Sequence, residues 1–137
     1  MGDRRKAREF ALQMMYAVDL SKASAGDALL YFWSAQENVV EESRSFAELL
    51  LKGTAEKLAE IDKKISDCSS NWKIGRMSVV DRNVLRLSIY ELLFCPDIPV
   101  RVTLNEAIEI AKLYGTEESG SFVNGILDKI AKGVDKE

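Results

Sequence analysis

The chain has 137 residues, of which 47% are hydrophobic and 30% are charged, and its formal net charge is −3. This length and composition suit one domain with a substantial core, while the negative charge argues against a protein that coats nucleic acid by bulk electrostatics. Histidine is absent, which removes the commonest general base and metal ligand at neutral pH. The two cysteines are isolated in the sequence, which predicts reduced thiols. No long apolar run and no signal peptide are visible, so the protein is expected to be cytoplasmic and not to enter a membrane.

Helical periodicity dominates the first half of the chain. Residues 4–20 carry apolar side chains at i, i+3 and i+4 spacing, which predicts an amphipathic helix. A second helix is expected after the small-residue turn, with Asp27 as its N-cap. A long third helix is predicted over residues 43–68, with Gly53 weakening its middle.

A helix over residues 78–95 forms the centre of the predicted fold. Ser78 is placed to cap it, Asp81 completes a capping-box pattern, and Pro96 ends it. Its apolar side chains point in most directions, and a helix that is apolar on most sides is buried on most sides. The other helices are therefore expected to pack against it.

The remaining elements are also predicted to be helical. Residues 72–77 suit a short helical turn, and Thr103 with Glu106 forms a second capping-box pattern that opens a helix ending at Gly115. The last helix is expected to begin within residues 117–121. Since no segment shows sustained period-2 alternation, the fold is predicted to be all-α, with six or seven helices.

Four cations lie in the first turns of the first helix: Arg4, Arg5, Lys6 and Arg8. A helix N-terminus is already positive, so each cation there is unfavourable by roughly 0.3–1 kcal/mol. One interpretation is a solvated charge run. The other is that an anion binds there, with nucleic-acid phosphates as the natural candidate, and composition alone does not choose between them.

Arg82 and Arg86 lie one turn apart on the central helix. Like charges at this spacing repel, so each needs an acidic partner or an anionic ligand. Structural ion pairs, with Glu106 or Glu109 as partners, are the favoured interpretation.

The start of the last helix offers a candidate base contact. Phe122 is by default a core residue, but a partly exposed ring would stack on a splayed base of single-stranded RNA. Gly125 predicts close packing against another helix, because glycine within a helix costs roughly 1 kcal/mol relative to alanine. With no phosphate-cradling loop, metal cluster or nucleophile elbow in the sequence, these residues favour a binding module without a cofactor over an enzyme.

The chain resembles the NusB family of transcription antitermination factors. The resemblance rests on stretches that follow one another in family order and spacing and cover nearly the whole chain: 4–20 (RRKAREFALQMMYAVDL), 46–53 (FAELLLKG), Trp72 with Arg76, 78–94 (SVVDRNVLRLSIYELLF), 98–115 (IPVRVTLNEAIEIAKLYG) and 121–130 (SFVNGILDKI). No single stretch is specific, but together they are.

The resemblance implies an all-α fold of about seven helices, in which two three-helix bundles pack around the central buried helix. It implies an N-terminal subdomain of about residues 1–71 and a C-terminal one of about 72–137. It also implies binding of boxA RNA, found in ribosomal RNA leaders, together with NusE, a small-subunit ribosomal protein. The complex would then join elongating RNA polymerase with other Nus factors and suppress termination. Both a monomer and a homodimer remain open.

The resemblance also assigns roles to individual residues. The family's RNA-binding positions correspond to Arg4, Arg5, Lys6, Arg8, Tyr16, Arg76, Glu118 and Phe122. Its NusE contact corresponds to Asp81, Arg82 and Leu85. Lys6 stands where arginine is common, which keeps the charge but loses the bidentate fork.

Two other functions remain as hypotheses. A protein-only adaptor would use the basic end of the first helix to contact an acidic partner, with RNA incidental. A regulatory domain of an RNA methyltransferase is the other, although a chain ending at Glu137 leaves no room for a cofactor-binding domain, so catalysis is not expected. Because the net charge is −3 and the basic surface is small, RNA binding is expected to be weak and salt-sensitive alone and much tighter with NusE.

Overall fold

The computed structural model describes residues 2–69 and 73–136. All regular structure in these residues is helical, with seven α-helices and one 3₁₀ helix. In chain order they are α1 (Gly2–Ser21), α2 (Ala25–Ser34), α3 (Glu41–Glu56), α4 (Leu58–Cys68), the 3₁₀ helix (Ile74–Arg76), α5 (Val79–Phe94), α6 (Val100–Tyr114) and α7 (Ser119–Ala131). The prediction of an all-α fold is confirmed. The 3₁₀ helix falls within the predicted turn at 72–77, of which Trp72 lies outside the described residues.

The chain forms two compact units, Met1–Glu56 and Lys57–Glu137. The first is a three-helix bundle in which α1 packs on α2 and α3. In the second, α5 packs against α4, α6 and α7, and α6 packs against α7. The predicted subdomain division near residues 71 and 72 falls on residues that the structure does not describe, so it stays a prediction.

Helix α5, predicted as the buried centre of the whole fold, is the buried centre of the second unit. Ser78 is its N-cap, and the Ser78 hydroxyl accepts a hydrogen bond from the Asp81 backbone N–H at 3.0 Å. Leu85 and Ile89 have no exposed surface, and Leu92 is 1% exposed. Burial of each such side chain stabilises the fold by roughly 1.5–3 kcal/mol.

The prediction of a single long helix over residues 43–68 is wrong, because two helices, α3 and α4, occupy this stretch. Lys57 has φ −103° and ψ 18°, and it separates α3 from α4. The apolar pattern runs across this break without interruption, because Thr54, Leu58, Ile61 and Ile65 continue the spacing of one helical face. Periodicity could therefore not reveal the point at which the chain passes from the first unit to the second.

Two predicted caps are also wrong. The N-cap of α2 is Ser24, whose hydroxyl accepts from the Asp27 backbone N–H at 3.1 Å. Helix α6 begins at Val100, one turn earlier than predicted, so Thr103 lies inside it. The buried Thr103 hydroxyl instead donates to the Glu91 carboxylate on α5 at 2.9 Å. By contrast, α7 begins at Ser119, within the predicted window.

Candidate nucleic-acid interface

The first candidate surface is the basic edge, which we define as Arg4, Arg5 and Lys6 at the start of α1. Arg4 and Lys6 are exposed, and Arg5 is half-buried. The Arg4 guanidinium carbon lies 4.4 Å from the centroid of the Phe46 ring, and Lys6 Nζ lies 5.7 Å from that of Phe10. Aromatic faces attract and orient cations while leaving their charge in place, so these side chains are held at the surface as charged groups.

Arg8 differs from the three cations of the basic edge. Its side chain is buried at 7% exposure, and its guanidinium carbon lies 5.4 Å from the centroid of the Phe46 ring that also carries Arg4. Arg8 therefore has a packing position beneath the surface, with little access for a phosphate. Its assignment to RNA binding stays a prediction.

Tyr16 lies further along α1 and is 44% exposed. It follows Arg5 by about three helical turns, which places the two residues on the same face of α1. An exposed aromatic ring on the face that carries a cation is suited to stacking against a base. The assignment of Tyr16 to RNA binding is untested.

The second candidate surface is a cleft of about 180 Å³ in the second unit, which we call the Phe122 cleft. Three predicted RNA-binding residues meet there, namely Arg76 from the 3₁₀ helix and Glu118 and Phe122 from the start of α7. Arg76 and Glu118 are exposed, while Phe122 is half-buried. An aromatic ring beside a guanidinium is a combination that can stack on a base and contact a phosphate.

A tight turn between α6 and α7 positions one wall of the Phe122 cleft. The Thr116 backbone N–H donates to the Ser119 hydroxyl at 2.9 Å, and the Phe122 N–H donates to the Glu118 carbonyl at 3.0 Å. A Cβ on Gly115 would collide with the Ser119 side chain and lie 2.8 Å from the Ala111 carbonyl oxygen. Glycine at position 115 is thus what allows the chain to turn so closely.

Asp81 also lines the Phe122 cleft, although the resemblance assigned it to NusE. Its side chain is half-buried, and Oδ1 is enclosed without a hydrogen-bond partner among the described residues. An enclosed acceptor that makes no hydrogen bond carries a desolvation penalty of about 1–3 kcal/mol, and more when the group is charged. This unpaired oxygen could not be predicted from the sequence, because burial of one carboxylate atom depends on tertiary contacts.

The other two residues assigned to NusE differ in accessibility. Arg82 is half-buried, and its Nη1 donates to the Met77 carbonyl at 3.3 Å. Leu85 has no exposed surface. Its side chain belongs to the core of the second unit, so its burial argues against the direct contact that the resemblance implied.

Arg86 forms a structural ion pair, as the spacing of its charge predicted, but its partner is Asp62 on α4. Its Nε and Nη2 each lie 2.9 Å from one Asp62 oxygen, and its Nη1 donates to the Asn83 side-chain oxygen at 3.1 Å. The predicted partners were Glu106 and Glu109. Asp62 was missed because nothing in the sequence shows that α4 packs beside α5.

The expected close packing at Gly125 is wrong. A Cβ added there would meet no described atom within 4 Å outside its own helix, and the position is exposed.

No described helix is both long enough and apolar enough to cross a membrane. The described residues also bring together no cluster of three acidic or cysteine side chains that would hold a metal.

Comparison with known proteins identifies the family. Residues 5–132 match the model of the NusB family. The chain is 49% identical to a transcription antitermination protein NusB from Desulforapulum autotrophicum, covering 99% of this chain and 97% of that protein. It is 50% identical to the protein of the same name from Geobacter sulfurreducens, covering 96% and 95% of the two chains.

Solved structures agree with these matches. NusB from T. maritima has 44% sequence identity and a TM-score of 0.89, with 96% of this chain and 92% of that chain covered. A NusB chain crystallised with NusE and double-stranded RNA has 28% identity and a TM-score of 0.88, with 96% and 98% covered. The chain belongs to the NusB family of transcription antitermination proteins.

Proposed function

We propose that this chain binds single-stranded boxA-type RNA together with NusE, and that the complex acts with other Nus factors on elongating RNA polymerase to suppress termination. The observation that carries the proposal is the Phe122 cleft, in which Arg76, Glu118 and Phe122 meet. A NusB chain of 28% identity and nearly the same fold has been crystallised with NusE and double-stranded RNA, which supports NusE and RNA as partners here.

The basic edge contributes the phosphate contacts. Arg4 and Lys6 are exposed cations at a helix N-terminus, where the helix dipole adds further positive potential. Such contacts fix the position of RNA without reading its sequence. They weaken as salt rises, because protein binding releases counterions from the RNA and this release is less favourable at higher salt.

The Phe122 cleft contributes the base contact. A base can enter only if it leaves its stack, and single-stranded RNA allows this at low cost. The half-buried Phe122 ring then stacks on the base, and the exposed Arg76 side chain neutralises a neighbouring phosphate. Base–aromatic stacking is worth about 1–3 kcal/mol by alanine substitution.

The proposed role is binding without catalysis, in the cytoplasm. Because the net charge of the chain is −3, the few exposed cations at the basic edge support only weak RNA binding by the chain alone. NusE bound beside the RNA adds contacts whose effective concentration is high, which tightens binding without any change in this chain. Of the predicted NusE contact, Asp81 and Arg82 keep exposed surface, while Leu85 has none.

Fluorescence anisotropy tests this proposal. A labelled boxA RNA and a scrambled RNA are titrated with the chain, with and without NusE, at two salt concentrations. We expect weak binding by the chain alone, tighter binding with NusE, and a preference for boxA that persists at the higher salt. Equal binding of both RNAs that disappears with salt would reduce the interaction to a generic phosphate contact and refute sequence-specific recognition.

Charge reversal at exposed positions separates RNA binding from a protein-only adaptor role. The variant Arg4→Glu/Lys6→Glu is expected to weaken RNA binding by at least about tenfold, because two cations that contact phosphates become anions that repel them, and to leave NusE binding intact. Lys52→Glu is the matched control, since its side chain is 63% exposed on α3. Arg8 is unsuitable, because a glutamate at a position with 7% exposure would disturb folding. If Arg4→Glu/Lys6→Glu binds RNA normally, the phosphate contacts proposed for the basic edge are refuted; if it loses NusE binding instead, the adaptor hypothesis is favoured.

A further inference from the structure

We propose that Asp81 makes the Phe122 cleft selective for a guanine base. The inference rests on the proposed function, since it requires that RNA enters this cleft.

Asp81 has one carboxylate oxygen that makes no hydrogen bond with the described residues. Oδ1 is enclosed and has no hydrogen-bond partner among the described residues, while the Asp81 side chain lines the cleft. A carboxylate accepts hydrogen bonds only, so a partner that relieves this state must donate. Rotation about the terminal torsion of aspartate is soft, and a small turn of the carboxylate presents both oxygens to a ligand in the cleft.

Guanine is the base whose edge fits a carboxylate. Its N1–H and its exocyclic N2 amine are adjacent donors on the Watson–Crick edge, so they pair with the two carboxylate oxygens side by side. Cytosine and adenine each place a ring-nitrogen acceptor beside their amine, and uracil flanks its one N–H with two carbonyls. Each of these three bases would bring an acceptor against a carboxylate oxygen, which repels.

The neighbours of Asp81 suit the same base. The volume of about 180 Å³ is far above the roughly 10–15 Å³ that one water molecule requires, so the cleft has space for a planar base rather than for a single ion. Phe122 supplies a stacking face for such a base.

A set of three single-stranded RNAs tests this selectivity with the chain alone at low salt. The probes are a labelled uridine 10-mer, the same oligomer with one central guanosine, and the same with inosine, which keeps N1–H and lacks the N2 amine. We expect the guanosine oligomer to bind about tenfold more tightly than the uridine oligomer, with inosine in between. The Asp81→Asn variant should lose this preference, because its amide brings an N–H against one guanine donor. Its affinity for the uridine oligomer should stay within about twofold of the wild-type value.

Glu117→Gln is the matched control, since it removes the same charge from an exposed position next to Glu118 but outside the cleft lining. It should retain the guanosine preference. Salt-sensitive binding of all three oligomers with equal affinity would overturn the role of Asp81 and leave RNA binding in place. An Asp81→Asn variant that weakens all three equally would also overturn it. If the wild-type chain binds none of them, alone or with NusE, the proposed RNA contact itself fails.

Discussion

Replacing Asp62 by alanine is expected to destabilise the protein more than replacing its partner Arg86 by methionine. The Arg86 side chain is 11% exposed and the Asp62 side chain is 27% exposed, and two contacts of 2.9 Å join them. Asp62→Ala leaves the more buried charge without its carboxylate, with the Asn83 oxygen as a remaining acceptor. We expect this variant to lose about 3 kcal/mol of unfolding free energy, at the low end of the range for breaking a buried pair.

Arg86→Met should cost less, about 1–2 kcal/mol, because methionine fills the space of the arginine stem and the partly exposed Asp62 reaches water. The double variant removes both charges, and replacement of buried pairs by apolar residues is often close to neutral. Its cost should therefore fall well below the sum of the two single costs. The expected coupling energy is about 2 kcal/mol.

Urea denaturation followed by circular dichroism measures these differences, with the m-value checked in each variant. The exposed pair Lys63–Asp67, at 3.3 Å with side chains 76% and 60% exposed, is the control. Its coupling energy should stay below about 0.5 kcal/mol. If the costs of Asp62→Ala and Arg86→Met add within the same limit, the argument from burial is refuted.

Urea denaturation of four further variants tests other details of the packing through the free energy of unfolding. Gly115→Ala should destabilise the protein by about 1–3 kcal/mol, because the new Cβ collides with the Ser119 side chain. Gly125→Ala should stabilise it by up to about 1 kcal/mol, because the new Cβ there meets open space. Equal effects of the two substitutions would contradict the described turn. Thr54→Val should be neutral or stabilising by about 1 kcal/mol, since the enclosed Thr54 hydroxyl has no hydrogen-bond partner among the described residues. A loss of stability above that size would contradict this description of the hydroxyl. Lys136→Ala should cost about 1 kcal/mol, because its Nζ donates to two carbonyls at the end of α5 at 2.8 and 3.0 Å; no loss would show that these bonds contribute nothing.

Sequence reasoning succeeded where the determinants of a helix are local. The cap at Ser78 and the stop at Pro96 follow from side chains within a few residues of the helix ends, and α5 begins and ends beside them. It failed where the determinant is tertiary. Nothing in the pattern marks the break at Lys57, and Thr103 resembles a cap while its hydroxyl is directed to a carboxylate on another helix.

The candidate site shows the same division. The predicted residues Arg76, Glu118 and Phe122 do meet in one cleft, because the turn at Gly115 brings the start of α7 beside the 3₁₀ helix. That proximity was expected from the family resemblance and not from the residues themselves. The unpaired oxygen of Asp81 had no signal at all in the sequence.

The burial of Arg8 was within reach of the sequence. Leu12 and Met15 on α1 are buried, at 3% and 2% exposure. Arg8, Leu12 and Met15 follow one another at i, i+4 and i+7, which is the spacing of one helical face. A cation in line with two buried apolar side chains is expected to pack its stem against the core. Four adjacent cations therefore do not form one uniform basic surface, since Arg4 and Lys6 face solvent while Arg8 lies beneath them. Exposure, rather than charge alone, decides which of them can meet a phosphate.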